Sequence, residues 1–401
     1  MINNNKGFVQ VLVILTVVVV LGAGGYYLAT KNKNVNVEIP SESQNVQAPV
    51  VASPGEIKQP QKSETQISSK VCTLNKPETI AHIAYPRGER LIYDGKDMGA
   101  EKWFSGFLNN VSLSGDSIAF TRFGNPESNN PSDWHVIYNG KDLGVGSSPV
   151  IDGKHLAFGK YDAVQKDINL YHDGKISSGK DMASPVVLSG DHIAYVGYID
   201  DKRHIIYDGK DLGEGTEVEI SGDNIAYVGE VIMTPPFENN IYLNGKKIGE
   251  GIGGIILSGK NIAFTKNVNN ERHIVFNGKD YGEYVTAGVY ADGETPFIDG
   301  AHIVFVRDID GKRHIIYDGE DLGEGSFPSL SGNHLAYQHD GSIVYDRKII
   351  AKGSKPIVVG NHLAFSSVID RKSYMVLDCQ QVGLADQEHN YKPIVSIKNS
   401  R

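Results

Sequence analysis

The sequence predicts an all-β fold, a β-propeller of four-stranded antiparallel blades, preceded by one transmembrane helix. Three observations lead there. A short word of alternating residues recurs nine times, the recurrences carry hairpin corners, and one uncharged apolar run of helix length stands apart near the N-terminus. Glycine, at 45 of 401 residues, exceeds the usual ~7% and favours turns and short strands over helices.

In chain order, residues 1–7 form a short polar head expected in the cytoplasm, and residues 8–30 (FVQVLVILTVVVVLGAGGYYLAT) carry no charge. At ~1.5 Å per residue such a helix crosses ~30 Å of hydrocarbon. A cleaved secretory signal is the alternative, although its apolar region is usually ~7–15 residues long. Lys6 on one side and Lys31 and Lys33 on the other leave the positive-inside count undecided. A short head before a large C-terminal part is usual for an anchor that enters from the cytoplasm. The expectation is therefore a single-pass cell-membrane protein with its C-terminal domain outside the cytoplasm. The run Lys6-Gly7-Phe8 resembles the leader junction of type IV prepilin-like proteins, which implies cleavage after Gly7, and departs from pilins in having Leu12 where they carry Glu. Residues 31–70, rich in Ser, Gln, Pro, Val and Asn, read as a disordered linker.

Residues 71–401 hold the repeat. The apolar residue of the His-Ile-Ala-Tyr word recurs at Ile83, Ile118, Leu156, Ile193, Ile225, Ile262, Ile303, Leu335 and Leu363, at spacings of 28 to 41 residues. Each copy parses into four short strands, which gives nine repeats and eight or nine blades. Corners such as Asp94-Gly95, Asn139-Gly140, Asp208-Gly209 and Asp318-Gly319 suit type I′ hairpins between third and fourth strands. Along His192-Ile-Ala-Tyr-Val, Ile193 and Tyr195 should face one neighbouring blade and Ala194 and Val196 the other. Tyr207 and Tyr317 are expected to be buried between blades, with Lys210 and Glu320 exposed at the corners.

The word Ser-Gly-Asp-His-Ile-Ala-Tyr-Val (189–196), followed by Ile-Ile-Tyr-Asp-Gly-Lys (205–210), resembles the repeats of the TolB-like and WD40-like propeller families over roughly residues 80–400. The resemblance implies the fold. It implies little about activity, because such repeats serve periplasmic scaffolds, peptidase gating domains and lyases alike. The chain departs from those repeats in lacking Pro after Ser and in shortening several blades.

Chemistry is sparse. A net charge of −9 offers no basic footprint, so nucleic acid is not an expected partner. Gly-x-Ser-x-Gly, His-Glu-x-x-His, P-loop and Rossmann words are absent, and the tail after residue 380 is too short for a hydrolase domain. No catalytic residue and no cofactor is assigned. Histidines open the second strand at His82, His155, His192, His302, His334 and His362, and precede the third at His135, His204, His273 and His314. Equivalent positions on different blades are held apart, whereas zinc needs three or four ligands at ~2.0–2.1 Å. The reading is that they hydrogen-bond turns and that no metal is held. Asp308-Ile-Asp310-Gly311 and Asp200-Asp201-Lys202 are read as turns.

The irregular loops 124–133 and 230–239 put Trp134 and Phe237 forward as candidate contact residues, with Trp103 and Phe104 behind them. Covering a blade edge is the competing role for each. The preferred function is a non-catalytic protein- or glycan-binding scaffold module, monomeric in its soluble part. The alternative is an envelope enzyme of polysaccharide lyase or hydrolase type, with its site at the axial face.

Near the C-terminus, Lys392-Pro-Ile-Val-Ser-Ile397 echoes the first strand of the ninth copy, Lys355-Pro-Ile-Val-Val359, and no second strand follows. Residues 393–397 are expected to complete the first blade and remove an open sheet edge. Cys72 and Cys379 then fall at the same seam and form the candidate disulfide, with two unrelated thiols as the alternative.

A protein starting near Lys70 should be almost free of helix by far-ultraviolet circular dichroism. A helix content above roughly a quarter, near the globular average, would contradict the propeller.

Overall fold

A computed structural model describes Cys72 and residues 81–87, 90–100, 111–123, 133–162, 167–177, 182, 186–229, 238–284, 296–384 and 394–397. All belong to one compact unit, residues 66–401. The expected membrane span and linker lie outside the described residues, as do Trp103, Phe104 and Phe237. Among the described residues no helix is long and apolar enough to cross a membrane.

Every strand pairing is antiparallel, and the sheets repeat one order, first to fourth strand. In blade 4 the strands are Val187–Ser189, His192–Ile199, Lys202–Tyr207 and Lys210–Glu214. A twelve-residue strand, Lys141–Asp152, joins two blades. Its first part pairs with Trp134–Tyr138 as the outer strand of blade 2, and its second with His155–Asp162 as the first strand of blade 3. Counting it twice gives nine four-stranded blades: 81–100 with 394–397, 111–145, 146–177, 187–214, 217–251, 253–283, 297–324, 326–352 and 354–384. Nine is therefore the blade number among the described residues.

The Ile-Ala-aromatic word explains the stacking. Alternation sends Ala to one face and the two larger residues to the other. Ala194 and Val196 pack on Val218, Ile220, Ile225 and Tyr227 of blade 5, while Ile193 and Tyr195 pack on Ala157 and Leu170 of blade 3. The same exchange of small for large recurs at each successive interface, with Val304 replacing Ala in blade 7. Ile83, Tyr85 and Ile92 of blade 1 meet Ala364 and Met375 of blade 9, and Ala84 and Leu91 meet Val111, Ile118 and Phe120 of blade 2. The series thus closes on itself. Tyr207 and Tyr317 do not sit in these cores as expected: both are half-buried, because they lie one residue from the corner, whereas Tyr195, Tyr227 and Tyr337 are 7% exposed. Lys210 and Glu320 are exposed.

A polar belt runs beside the apolar one. The turn between first and second strands has Gly at its first central position with φ of 54° to 58° (Gly115, Gly153, Gly190, Gly222, Gly259, Gly300, Gly332, Gly360), as a type II′ hairpin requires. That N–H has no partner within its own hairpin. It donates instead to the Ser or Asp of the preceding blade: Gly153 to Ser114, Gly190 to Asp152, Gly222 to Ser189, Gly259 to Ser221, Gly300 to Ser258, Gly332 to Asp299 and Gly360 to Ser331, at 2.6–2.9 Å. Seven consecutive interfaces, from blade 2 to blade 9, carry this staple.

The seam between the chain's two ends is built differently. Val359 stands where the staple's acceptor would be. Here Ile394–Ile397 pairs with Ala81–Arg87 and Cys72 is joined to Cys379 with Cα atoms 5.4 Å apart; at the next interface, between blades 1 and 2, Ser396 donates its hydroxyl to Gly115 O at 2.9 Å. Cys379 occupies a corner position at φ 67°, and Arg347 does the same in blade 8 at φ 65°. Both replace the Gly that the other corners use, at a cost of roughly 1–2 kcal/mol. Each spends that position on a tie, Cys379 to Cys72 and Arg347 to both carboxylate oxygens of Glu320 in blade 7 at 2.6 and 3.0 Å.

Tyr195→Ala should lower stability by ~3–5 kcal/mol and Ser221→Ala by ~1 kcal/mol, read from urea midpoints, with Lys210→Ala inside ~0.5 kcal/mol. Removing residues 391–401 should lower the melting temperature of the whole domain in one transition. A truncated protein that melts like its parent would show that the last strand does not close the ring.

Candidate functional site

First and third strands of a blade run the same way, so the Ser-Gly turns and the Asp-Gly corners fall at one end of the ring. Most of the chain's histidines of the second-strand set stand there. His155, His192, His302, His334 and His362 each place Nδ1 2.6–2.7 Å from one oxygen of the corner carboxylate, Asp173, Asp208, Asp318, Asp346 and Asp378. The other oxygen accepts the N–H of the residue after the histidine at 2.9–3.0 Å. Where the corner is Asn, the partner changes with it. Asn139, Asn244 and Asn277 accept the same amide and donate their NH2 to Ser117, Asn224 and Asn261. Donor and acceptor types are matched in these eight blades, so the histidines among them fasten the second strand to the third-to-fourth corner.

The second histidine set is also structural. His135, His204, His273 and His314 hold Asp142, Asp211, Asp280 and Asp321 at 2.9–3.0 Å. The same carboxylates accept the N–H of the glycine two residues on, which fixes the bulge in each outer strand.

Blade 3 departs from this regularity. Between it and blade 4 lies a cleft of about 560 Å³ lined by Leu170, His172, Lys175, Asp191, Tyr195 and Asp208 among others. His172 stands beside the pair His155–Asp173, with Nε2 3.6 Å from Asp173 Oδ2. His155 Nε2 meets Asp191 Oδ1 at 2.9 Å. Burial works to raise the Asp173 carboxyl, yet the Leu156 N–H, the His155 hydrogen bond and the two imidazoles hold it below its ordinary value. In blade 4 the hydrogen bond to Asp208, against some burial and with help from Asp223, raises His192 above its ordinary value. The cleft therefore opens at a place where two imidazoles, three carboxylates and an ammonium group come together.

A second departure lies on a first strand. Glu217 accepts the N–H groups of Gly254 and Ile255 in blade 6, both at 2.9 Å. Glu219, two residues on and hence on the same face, is pushed up to about 7 by burial and then by the charge of Glu217. These are like groups, and one of them is occupied in binding backbone.

Trp134 opens the third strand of blade 2, opposite Phe123, and is half-buried there. It does not meet the cleft, and the other aromatic candidates fall outside the described residues. Histidine spacing alone drew attention to the regular positions and passed over His172. The available signal was a break in the repeat: Tyr171-His172-Asp173-Gly174 aligns with Ile206-Tyr207-Asp208-Gly209.

Folded Glu219 keeps its proton to about pH 7, while an unfolded glutamic acid loses it near 4.5. Between those values the folded state binds more protons, so this residue makes stability fall as pH rises. Glu219→Gln should flatten the slope of melting temperature between pH 4.5 and 7 and leave the variant more stable than its parent at pH 8. An unchanged slope would place the carboxylate in water.

No known protein family matches the chain, and no curated protein matches it. Solved structures do. The β-propeller domain of the trilobed protease from Pyrococcus furiosus aligns at 13% identity over 71% of this chain and 97% of that one, with a TM-score of 0.40. Acylaminoacyl peptidase from Pyrococcus horikoshii aligns at 13% identity over 73% of this chain and 65% of its own, with a TM-score of 0.36. The N-terminal domain of Nup159 aligns at 11% identity over 73% of this chain and 89% of that domain, with a TM-score of 0.28. The chain is similar to these proteins in fold only, and its propeller assignment rests on its own sheet order and closure.

Proposed function

We propose that the protein is a membrane-tethered binding or scaffold module outside the cytoplasm, non-catalytic, which engages a protein or glycan through the end of the ring that bears the corners. The observation that carries this reading is the use made of the polar groups. Nearly identical His–Asp and Asn–Asn pairs repeat around that end, and outside blade 3 each is consumed in holding a hairpin, which leaves a rigid frame with exposed tips. Asp191 and Asp223 are such tips, with side chains 86% and 97% exposed. A rigid scaffold with exposed irregular positions is the usual basis of recognition. The enzyme alternative calls for unlike titratable groups gathered on the inner strands; the inner-strand pair described, Glu217 and Glu219, is of like groups. The tether rests on the uncharged run 8–30 and its length, and the relation to TolB-like proteins rests on the repeat word.

Photo-crosslinkers at Asp191 and Asp223 should capture a protein or glycan in intact cells, whereas crosslinkers at Asp201 and Asn270, on hairpins at the opposite end, should not. Protease added outside those cells should digest the domain, and deletion of residues 8–30 should release it from membranes. Capture only from the opposite end, or digestion only after lysis, would overturn the corresponding half of the proposal.

A further inference from the structure

Ninefold repetition supplies its own control experiment, since a residue that departs from the pattern in one blade can be compared with its equivalents. In blades 4, 7 and 8 the residue before the corner Asp is a tyrosine whose ring stacks on the second-strand histidine, with centroids 5.5–5.6 Å apart: Tyr207 on His192, Tyr317 on His302, Tyr345 on His334. Blade 3 puts His172 there, tilted against His155 at 6.1 Å. Its Nε2 is shut off from solvent and makes no hydrogen bond. A buried ring nitrogen without a partner is costly unless a ligand satisfies it.

One ligand atom from each of His155, His172 and Asp173 lies within 4.8 Å of the others. We propose that these three residues hold one divalent transition-metal ion of the class imidazole favours, Zn²⁺ or its neighbours Co²⁺, Ni²⁺ and Cu²⁺. His172 Nε2 stands 3.6 Å from Asp173 Oδ2, a separation that ligands at about 2.0–2.2 Å from a common ion adopt; His155 Nδ1, hydrogen-bonded to the same oxygen at 2.6 Å without the ion, gives up its proton and moves to about 3.3 Å from it when the ion enters. Asp173 is already oriented, because its other oxygen accepts the Leu156 N–H at 2.9 Å. His155 Nε2 faces Asp191 Oδ1 at 2.9 Å, the carboxylate–histidine arrangement that fixes the tautomer of a metal ligand and raises its basicity. His192 has both of the corresponding carboxylates, Asp208 and Asp223, but faces Tyr207 in place of a second imidazole. Blade 3 alone, among the described residues, supplies two nitrogens and an oxygen. His172 and Asp191 also line the 560 Å³ cleft, which brings a space for water or an oxygen atom of a ligand to the edge of the site. The expectation that histidines on different blades stay apart is correct for equivalent positions; this group arises because two non-equivalent positions of one blade are both histidine.

The test uses the full, untagged chain, solubilised in mild detergent, titrated with Zn²⁺ by calorimetry and with Co²⁺ by visible absorption at pH 7.5. One ion per chain is expected, together with a rise in melting temperature and the ligand-field bands of a nitrogen- and oxygen-bound Co²⁺. His172→Tyr restores the residue of blades 4, 7 and 8 and should fold normally while losing both signals. His172→Leu, the residue type at this place in blades 5 and 9 (Leu243 and Leu377), serves if the tyrosine variant melts early. Asp191→Asn should weaken binding by about 10–100-fold, and Tyr207→His should add a second ion by rebuilding the trio in blade 4. No uptake by the parent chain, or equal uptake by parent and His172 variants, overturns the proposal.

Discussion

The structure depends on how each blade is fixed to the next, and the constraint that decides this is the Gly N–H left over at the turn between first and second strands. Its positive φ closes a two-residue hairpin, and that geometry turns the amide outward. Most of these turns are exposed, so pairing spares the amide little desolvation; what the bond to the Ser or Asp of the preceding blade supplies is direction, which fixes the spacing and rotation of neighbouring sheets. Apolar packing is strong but poorly directional. The staple makes it specific, because Ala can meet Ile and an aromatic ring only if the two sheets stand in one register. A glycine elsewhere serves the same end: a Cβ on Gly215 would lie 2.5 Å from both Ile205 Cγ1 and Val228 O, where the chain passes from blade 4 to blade 5.

Closure follows from the staple's absence at the two interfaces of blade 1. With Val359 in the acceptor position, blades 9 and 1 need another fastening, and the chain supplies two, a C-terminal strand added to blade 1 and the Cys72–Cys379 bridge, while the Ser396 hydroxyl ties that strand to blade 2. A bridge between residues 307 apart constrains the unfolded chain over nearly the whole repeat array. It also suits an oxidising compartment, which agrees with the proposed location outside the cytoplasm.

The corner network bears on function through what it uses up. A carboxylate that accepts a backbone N–H and an imidazole N–H has little capacity left for a substrate, so most of the histidines and aspartates on this end are framework. The interest lies where framework and repeat disagree. His172 takes the place of a stacking tyrosine and brings an unsatisfied nitrogen to a cleft; Arg347 takes the place of a corner glycine and reaches Glu320. In a repeat protein such exceptions are the places where selection for something other than the fold becomes visible.

The all-β class, the hairpin corners and the alternation of Ile193 and Tyr195 against Ala194 and Val196 were legible from the sequence because each is local: period two, turn residues at fixed offsets and a repeated word. The first-blade role of the last strand was legible too, as an echo of residues 355–359. Other features were not. Tyr207 looked like core because its word is apolar, yet its distance from the corner leaves it half-exposed. Ser-Gly read as a turn and nothing more, since the amide it frees is taken by a residue some 30 to 40 positions earlier. His172 could be aligned but not weighed, because the value of an imidazole depends on what stands around its nitrogens. The sequence determined which residues turn, alternate and repeat; the tertiary structure alone decided which of them meet across an interface, because hydrogen-bond partners, burial and ligand geometry are properties of neighbours in space.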